Sequence, residues 1–142
     1  MKKILAATLF ASVFASVGAN AATIGLKDGY NAIGDVATDI NLARQYAFTA
    51  IASRAGFIKN DFEGTLSANV VAGVIDDAAN NRMGVIAGSN KGYVVFTGSS
   101  VGGSVAQCGK PAVKGTDVDL AAKYVVVASV DLTKANGCNR TL

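Results

Sequence analysis

From Gly56 onwards the sequence changes character. Short runs rich in β-branched residues follow one another, separated by Gly, Asn, Asp and Ser. Runs of this length and composition are typical of β-strands, and the separating residues are typical of tight turns. The sequence therefore predicts five strands in this part of the chain, at Leu66–Ile75, Met83–Ala87, Tyr93–Thr97, Val101–Gln107 and Tyr124–Val130.

Two of the separating segments, residues 76–81 and 88–92, contain Asn and Gly, which tolerate the positive φ angles of hairpin turns. We therefore expect adjacent antiparallel hairpins. The run Tyr93–Phe96 is the most hydrophobic, and we interpret it as a central core strand rather than as the wall of a ligand cleft. The only proline, Pro111, lies in the polar segment Lys110–Leu120, which we expect to be a surface loop.

The segment between Asp28 and Ala55 has a different spacing. Its apolar residues recur every three or four positions, as on one side of a helix, at Ile33, Val36, Ile40, Ala43, Ala47 and Ile51. Asp28 or Asp35 is a suitable N-cap, and because two glycines weaken the first turns we expect a helix from Asp35 to Ala55. The predicted fold class is α+β, with this N-terminal amphipathic helix packed on an antiparallel meander sheet.

The first residues have the pattern of a secretory signal peptide. A basic start at Met1–Lys3 is followed by an apolar run from Ile4 to Val17, and then by small residues at Ala19 and Ala21. We expect cleavage after Ala21, which leaves residues 22–142 as a single exported domain. The apolar run is too short to span a bilayer, so no membrane span is expected after processing; the alternative is an uncleaved N-terminal helix.

Cys108 and Cys138 are the only cysteines. In an exported chain two thiols have only each other as partners, so the sequence predicts a disulfide that closes the C-terminal region. The alternatives are a pair of free thiols or two ligands of a metal site. The chain has no His to complete a zinc site, and we expect no metal and no cofactor.

Charge and composition narrow the classes of function. Of 13 Lys and Arg residues, Lys2 and Lys3 lie in the predicted leader, which leaves 11 against 10 Asp and Glu. This balance does not favour binding to nucleic acid or to anionic lipid, both of which need clustered basic residues. The absence of His also removes the commonest general base, so we expect a protein without catalytic activity.

Two groups of charged residues are candidate sites. Asp76 and Asp77 fit a catalytic pair or a calcium site, but neighbouring strand residues point to opposite faces, and Asp in a turn commonly bonds its own backbone. The second group lies in the segment Lys110–Leu120. Its two carboxylates share one face if the backbone is extended, and we expect either a solvated loop or a loop that binds a partner, through Lys110, Lys114, Asp117 and Asp119.

The order of these elements resembles the globular part of a type IV pilin. The similarity rests on the helix at Asp35–Ala55, the meander at Leu66–Gln107 and the loop bounded by Cys108 and Cys138. Such pilins carry a charged leader with a Gly and a nearby Glu at their processing site, where this chain has an ordinary secretory signal. The resemblance implies a fimbrial subunit whose helix and disulfide loop form contacts between copies.

The sequence thus leads to three hypotheses. The first is an exported structural or adhesive subunit of a cell-surface filament or coat, which associates with itself or with another envelope protein. The second is a secreted or periplasmic binding or inhibitor module that uses the segment Lys110–Leu120. The third is a small enzyme of an unfamiliar type.

Overall fold

A computed structural model describes residues 21–34, 40–116 and 120–141, and these residues form two β-sheets. The strands are β1 (Ala22–Gly25), β2 (Gly29–Ile33), β3 (Arg44–Thr49), β4 (Phe62–Leu66), β5 (Val70–Asp77), β6 (Arg82–Ser89), β7 (Val94–Ser99) and β8 (Ala106–Gln107). Within the described residues, helical structure is limited to one four-residue helix, α1 (Leu120–Lys123), and to single 3-10 turns at Ala52–Arg54 and Val127–Ser129.

The chain passes back and forth between the two sheets. The small sheet has the order β1-β3-β4, with β1 parallel to β3 and β4 antiparallel to it. The large sheet has the order β2-β5-β6-β7-β8 and is antiparallel throughout. In the sequence, β2 of the large sheet therefore lies between β1 and β3, which both belong to the small sheet.

The large sheet is the middle layer of the molecule. Successive side chains of a strand point to opposite faces, so each strand supplies two sets of contacts. One face packs Ile33 and Val74 against Tyr46 and Phe48 of the small sheet. The opposite face is covered by the chain between Cys108 and Cys138, which we call the C-terminal layer.

Two glycines allow the C-terminal layer to approach the sheet closely. A methyl group at Gly84 would overlap the side chain of Leu132, and one at Gly88 would overlap Val125. Leu120 and Val125 pack in the same cluster as Ile86. Each apolar group buried here contributes roughly 1.5 to 3 kcal/mol relative to an exposed one, so this layer is part of the core and not a surface appendage.

The predicted N-terminal helix is wrong. Residues 35–39 lie outside the described residues, but the remainder of the predicted segment contains strand β3 and one 3-10 turn. Tyr46 and Phe48 are buried while Gln45 and Thr49 are exposed, which is the alternation of a strand with one buried face. The fold is therefore mostly β rather than α+β, and the resemblance to type IV pilins loses the helix on which it partly rested.

Several predicted strand boundaries also need correction. The predicted strand Leu66–Ile75 is divided by a turn between β4 and β5, in which Asn69 has a φ of 63°. Of Val101–Gln107 only the last two residues form a strand, and Tyr124–Val130 forms none apart from an isolated bridge between Val130 and Cys138. The two predicted antiparallel hairpins, β5–β6 and β6–β7, are confirmed.

The predicted leader lies almost entirely outside the described residues, which begin at Ala21. Strand β1 starts at Ala22, the residue that follows the predicted cleavage site. In the described part of the chain, no helix has both the length and the apolar character needed to cross a membrane.

Candidate functional site

The predicted disulfide is confirmed. Cys108 and Cys138 are joined across a sequence separation of 30 residues, and Cys108 is fully buried. The bond fixes both ends of the C-terminal layer to the edge of the large sheet near β8. Disulfides of this kind are typical of proteins that mature in an oxidising compartment.

Arg140 fastens the same region by hydrogen bonds. Its Nη1 donates to the carbonyl oxygen of Cys108 (2.8 Å), and its Nη2 donates to that of Lys110 (3.0 Å). The guanidinium carbon lies 4.1 Å from the centre of the Tyr124 ring, a cation–π geometry. The start of the predicted partner-binding loop is therefore held firmly against the protein.

Only two of the four predicted partner-binding residues lie in the described part of the chain. Lys110 and Lys114 are exposed, and Val113 between them is 61% exposed. Asp117 and Asp119 lie outside the described residues. The backbone N–H of Ala112 donates to the carbonyl of Tyr93 (2.7 Å), so the loop is anchored on the sheet. A partner-binding role for it stays a prediction.

Asp76 and Asp77 serve separate local purposes. Asp76 is fully buried and its carboxylate accepts hydrogen bonds from the backbone N–H groups of Phe57 and Ile58. Asp77 is the last residue of β5, and its carboxylate accepts hydrogen bonds from the side chain and backbone of Asn80 in the following turn, which lowers the pKa of its carboxyl group. Because the two side chains bind groups in different parts of the molecule, they do not form a joint site.

No group of three or more His, Cys, Asp or Glu side chains converges within residues 21–34, 40–116 and 120–141 in a way that suits a metal ion.

A polar cleft of about 530 Å³ lies between the β5–β6 turn and the C-terminal layer. Its polar groups mainly bond to one another: Arg82 donates to the carbonyl of Leu132, and Asp131 accepts from the backbone N–H and the hydroxyl of Thr133. The bonds from Thr133 lower the pKa of Asp131.

An uncovered part of the large sheet is the more distinctive surface. In β6 and β7 one set of side chains, including Ile86 and Val95, is buried under the C-terminal layer. The alternate set faces the side on which the small sheet packs, where Val85 contacts the cluster between the two sheets and Phe96 remains exposed. We call this surface the open face, and it consists of Met83, Val85, Ala87, Ser89, Val94, Phe96, Gly98, Val105 and Gln107.

The open face carries no charged side chain. Phe96 is 43% exposed and Val105 is 67% exposed, although both lie among apolar neighbours. A groove of about 240 Å³ lies beside Val85, Gly98 and Val105 and extends to Ser99 and Ser100. Gly98 itself is buried, and a methyl group there would overlap the side chain of Val105 and contact that of Val85.

No protein family matches the chain, and no curated protein or solved structure is significantly similar to it.

The open face was not predicted from the sequence. The run Tyr93–Phe96 was predicted to be a core strand, whereas among the first three residues of β7 only Val95 is fully buried and Phe96 projects outwards. The available signal was the alternation itself: apart from Arg82 at the start of β6, the positions on both faces of β6 and β7 carry no charged side chain. Solvent-facing positions of an antiparallel sheet are normally polar, so two uncharged faces on one hairpin indicate a second contact.

Proposed function

We propose that this chain is an exported structural or adhesive subunit that self-associates at the cell surface as part of a coat or filament. The open face is the observation that carries the proposal. Contiguous apolar surface of this kind marks an interaction site more often than free surface. An assembly subunit needs such uncharged contact areas, and this one lies on rigid strands.

Two further features support the proposal. The disulfide and the predicted leader agree with maturation outside the cytosol. The expected mature chain is close to neutral, with 11 basic and 10 acidic residues once Lys2 and Lys3 are removed from the total, so copies repel one another only weakly.

The test is to recover the protein from cells that produce it with its leader. We expect the mature chain to begin at Ala22 by N-terminal sequencing, to associate with rising concentration in sedimentation velocity, and to give visible assemblies by negative-stain microscopy. A chain that keeps its leader in the cytosol with both thiols open to alkylation, or that stays monomeric at every concentration, contradicts the proposal.

A second candidate function is a binding or inhibitor module. It is favoured by the loop around Val113, which is exposed yet anchored by Arg140 and by the backbone of Tyr93, because a loop ordered in advance loses little entropy on binding. Val113→Asp should then remove capture of a partner from envelope extract. Val127→Asp, at a 55% exposed position of the same layer, is the matched control and should leave capture unchanged.

A further inference from the structure

We propose that the peptide bond between Arg54 and Ala55 is a processing site for an arginine-specific endopeptidase, and that the new α-ammonium group of Ala55 then pairs with the buried carboxylate of Asp76. The inference goes beyond the proposed function, since it requires that the chain meets such a protease and not that copies associate. Three features lead to it: the conformation of the loop, the accessibility of the bond, and the position of the carboxylate.

The loop that contains this bond has a backbone conformation that its residues disfavour. Ser53 and Arg54 have φ angles of 58° and 53°, in the left-handed region that residues other than glycine rarely adopt. Two turn bonds hold them there: the N–H of Arg54 donates to the carbonyl of Ile51 (2.9 Å), and that of Ala55 donates to Ala52 (3.3 Å). Strained backbone persists only where its surroundings hold it, so cutting this bond relieves the strain.

Among the arginines of the chain, Arg54 is the one that a protease reaches. Residues 52–55 are all exposed, and exposed loop tips are the preferred sites of nicking. Arg44 and Arg82 lie in strands β3 and β6, and Arg140 is half-buried with its guanidinium bound to two carbonyls. Hydrolysis with arginine specificity is therefore directed to a single bond.

A buried carboxylate without a cation lies directly beyond this loop. Asp76 is fully buried, and it accepts hydrogen bonds from the backbone N–H groups of Phe57 and Ile58. In the described part of the chain no Lys or Arg forms an ion pair with it. A buried charge of this kind gains stability from a cationic partner, and its two oxygens are able to accept further hydrogen bonds.

The nitrogen of Ala55 is within reach of this carboxylate. The backbone of Gly56 lies against it, since a methyl group at Gly56 would overlap the Asp76 carboxylate. Consecutive Cα atoms are about 3.8 Å apart, so Ala55 lies one residue length away. In the intact chain its nitrogen is a neutral amide held in the turn, whereas after cleavage it is an ammonium group that is free to rotate towards Asp76.

The reaction adds one water molecule across the bond. The C–N bond breaks, the water oxygen bonds to the carbonyl carbon of Arg54 to give a carboxylate, and both water protons pass to the nitrogen of Ala55. Each new charge has a partner in place, because the Nζ of Lys59 already donates to this carbonyl oxygen at 3.0 Å and Asp76 lies beside the new ammonium. The two fragments stay together, since the cut lies between the paired strands β3 and β4.

The test treats the mature, disulfide-bonded protein with an arginine-specific endopeptidase. We expect a first cut between Arg54 and Ala55 by mass spectrometry and N-terminal sequencing, with both fragments in one peak in size-exclusion chromatography. The nicked protein is then labelled with acetic anhydride near neutral pH, where α-amines react before lysines. The amine of Ala55 should react roughly tenfold more slowly than the amine at the chain's own N-terminus, because an ion pair keeps it protonated. In denaturant the two rates should be equal.

A shifted cut is the matched control. Arg54→Gln with Ala52→Arg keeps a nick in the same loop but places the new ammonium on Ser53. We expect this amine to be labelled freely, and the shifted nick to melt about 4 °C or more below the parent's nick. Asp76→Asn removes the charge but keeps an acceptor, and its nicked form should also lose protection. Should this variant fail to fold, the shifted cut still decides.

Four results overturn the inference: a chain that resists the protease, a first cut at another arginine, an unprotected Ala55 amine in the folded nicked protein, or equal protection in the shifted nick. These results are separate from those that test the proposed function. A protein that stays monomeric contradicts self-association and leaves the processing site intact, while a freely reactive Ala55 amine removes the processing site and leaves a self-associating subunit.

Discussion

Tyr30 joins the edge of the large sheet to the C-terminal layer. Its hydroxyl donates to the carbonyl oxygen of Val125 at 2.6 Å, across 95 residues of sequence. Its ring lies over Gly73, where any side chain would overlap it. Burial raises the pKa of the Tyr30 hydroxyl, so the group stays a hydrogen-bond donor throughout the neutral range.

Replacing Tyr30 with Phe tests this connection. The variant keeps the ring over Gly73 but leaves the carbonyl of Val125 without its donor, and we expect the free energy of unfolding to fall by about 1 kcal/mol in urea denaturation. Tyr93→Phe is the matched control, since its hydroxyl has no hydrogen-bond partner among the described residues. Equal stability of the Tyr30 variant and the parent would show that the bond contributes nothing.

Single residues differ in how far the sequence predicts their roles. The disulfide was predictable because only one pair of cysteines exists, and the bonds of Asp77 to Asn80 follow from a separation of three residues within one turn. The role of Asp76 was not predictable from the sequence, because its hydrogen-bond partners Phe57 and Ile58 lie in a distant loop. Hydrogen bonds between residues close in sequence can be predicted from the sequence, whereas those between distant segments depend on the packing that brings the segments together.

Among the elements, β3 shows why a helical spacing misled. Ile40, Ala43, Ala47 and Ile51 lie three or four residues apart, which suits a helix, but the two largest side chains, Tyr46 and Phe48, lie two apart. Phe48 stacks on Phe62, its partner across the strand pair, with the ring centres 4.6 Å apart, and this cross-strand contact stabilises the extended backbone. Burial of the aromatic rings outweighed the weaker spacing of alanines and isoleucines.

The position of the C-terminal layer depends more on the disulfide that closes it than on regular secondary structure. Its described residues contain only short helical turns, and the predicted strand at Tyr124–Val130 instead lies across the sheet with Val125 buried and Val127 exposed. A segment without its own backbone ladder gains little stability locally. Its position is therefore determined by the disulfide, by Arg140 and by its apolar contacts with the sheet.

Removal of both cysteines should release this layer. For Cys108→Ser with Cys138→Ser we expect the free energy of unfolding to fall by about 3 to 4 kcal/mol, since the bond closes a loop of 30 residues. Proteolysis should then cut first within residues 110–116. Reductant should reproduce the loss in the parent and change nothing in the double variant; cleavage that begins elsewhere would contradict the assigned role.

At the scale of the whole molecule, the polar cleft links stability to pH. Asp77 and Asp131 lie on either side of it, and hydrogen bonds lower the pKa of both carboxyl groups below the ordinary value. The folded state then binds fewer protons than the unfolded state in the acid range. Their contribution is complete above the unfolded pKa of about 4 and is lost as the pH falls through the folded values.

We therefore expect the melting temperature to fall as the pH is lowered from about 5 to 2. Asp77→Asn with Asp131→Asn should flatten this dependence, because the amides keep part of the hydrogen bonding but do not titrate. Glu63→Gln, at an exposed carboxylate of β4 outside the cleft, is the control. An identical slope in the double variant and the parent would assign the acid sensitivity to other groups.

The strand order has a consequence for the path by which the chain folds. Strands β5, β6 and β7 are joined by short turns and are able to pair early. Strand β2 can pair with β5 only after the long loop between them, which contains β3 and β4, has closed. Closing such a long loop loses chain entropy before the stabilising contacts form, so refolding should take milliseconds to seconds rather than microseconds. A newly made chain therefore passes through a stage in which the two central hairpins have formed, while neither the small sheet nor the C-terminal layer yet covers their apolar surfaces.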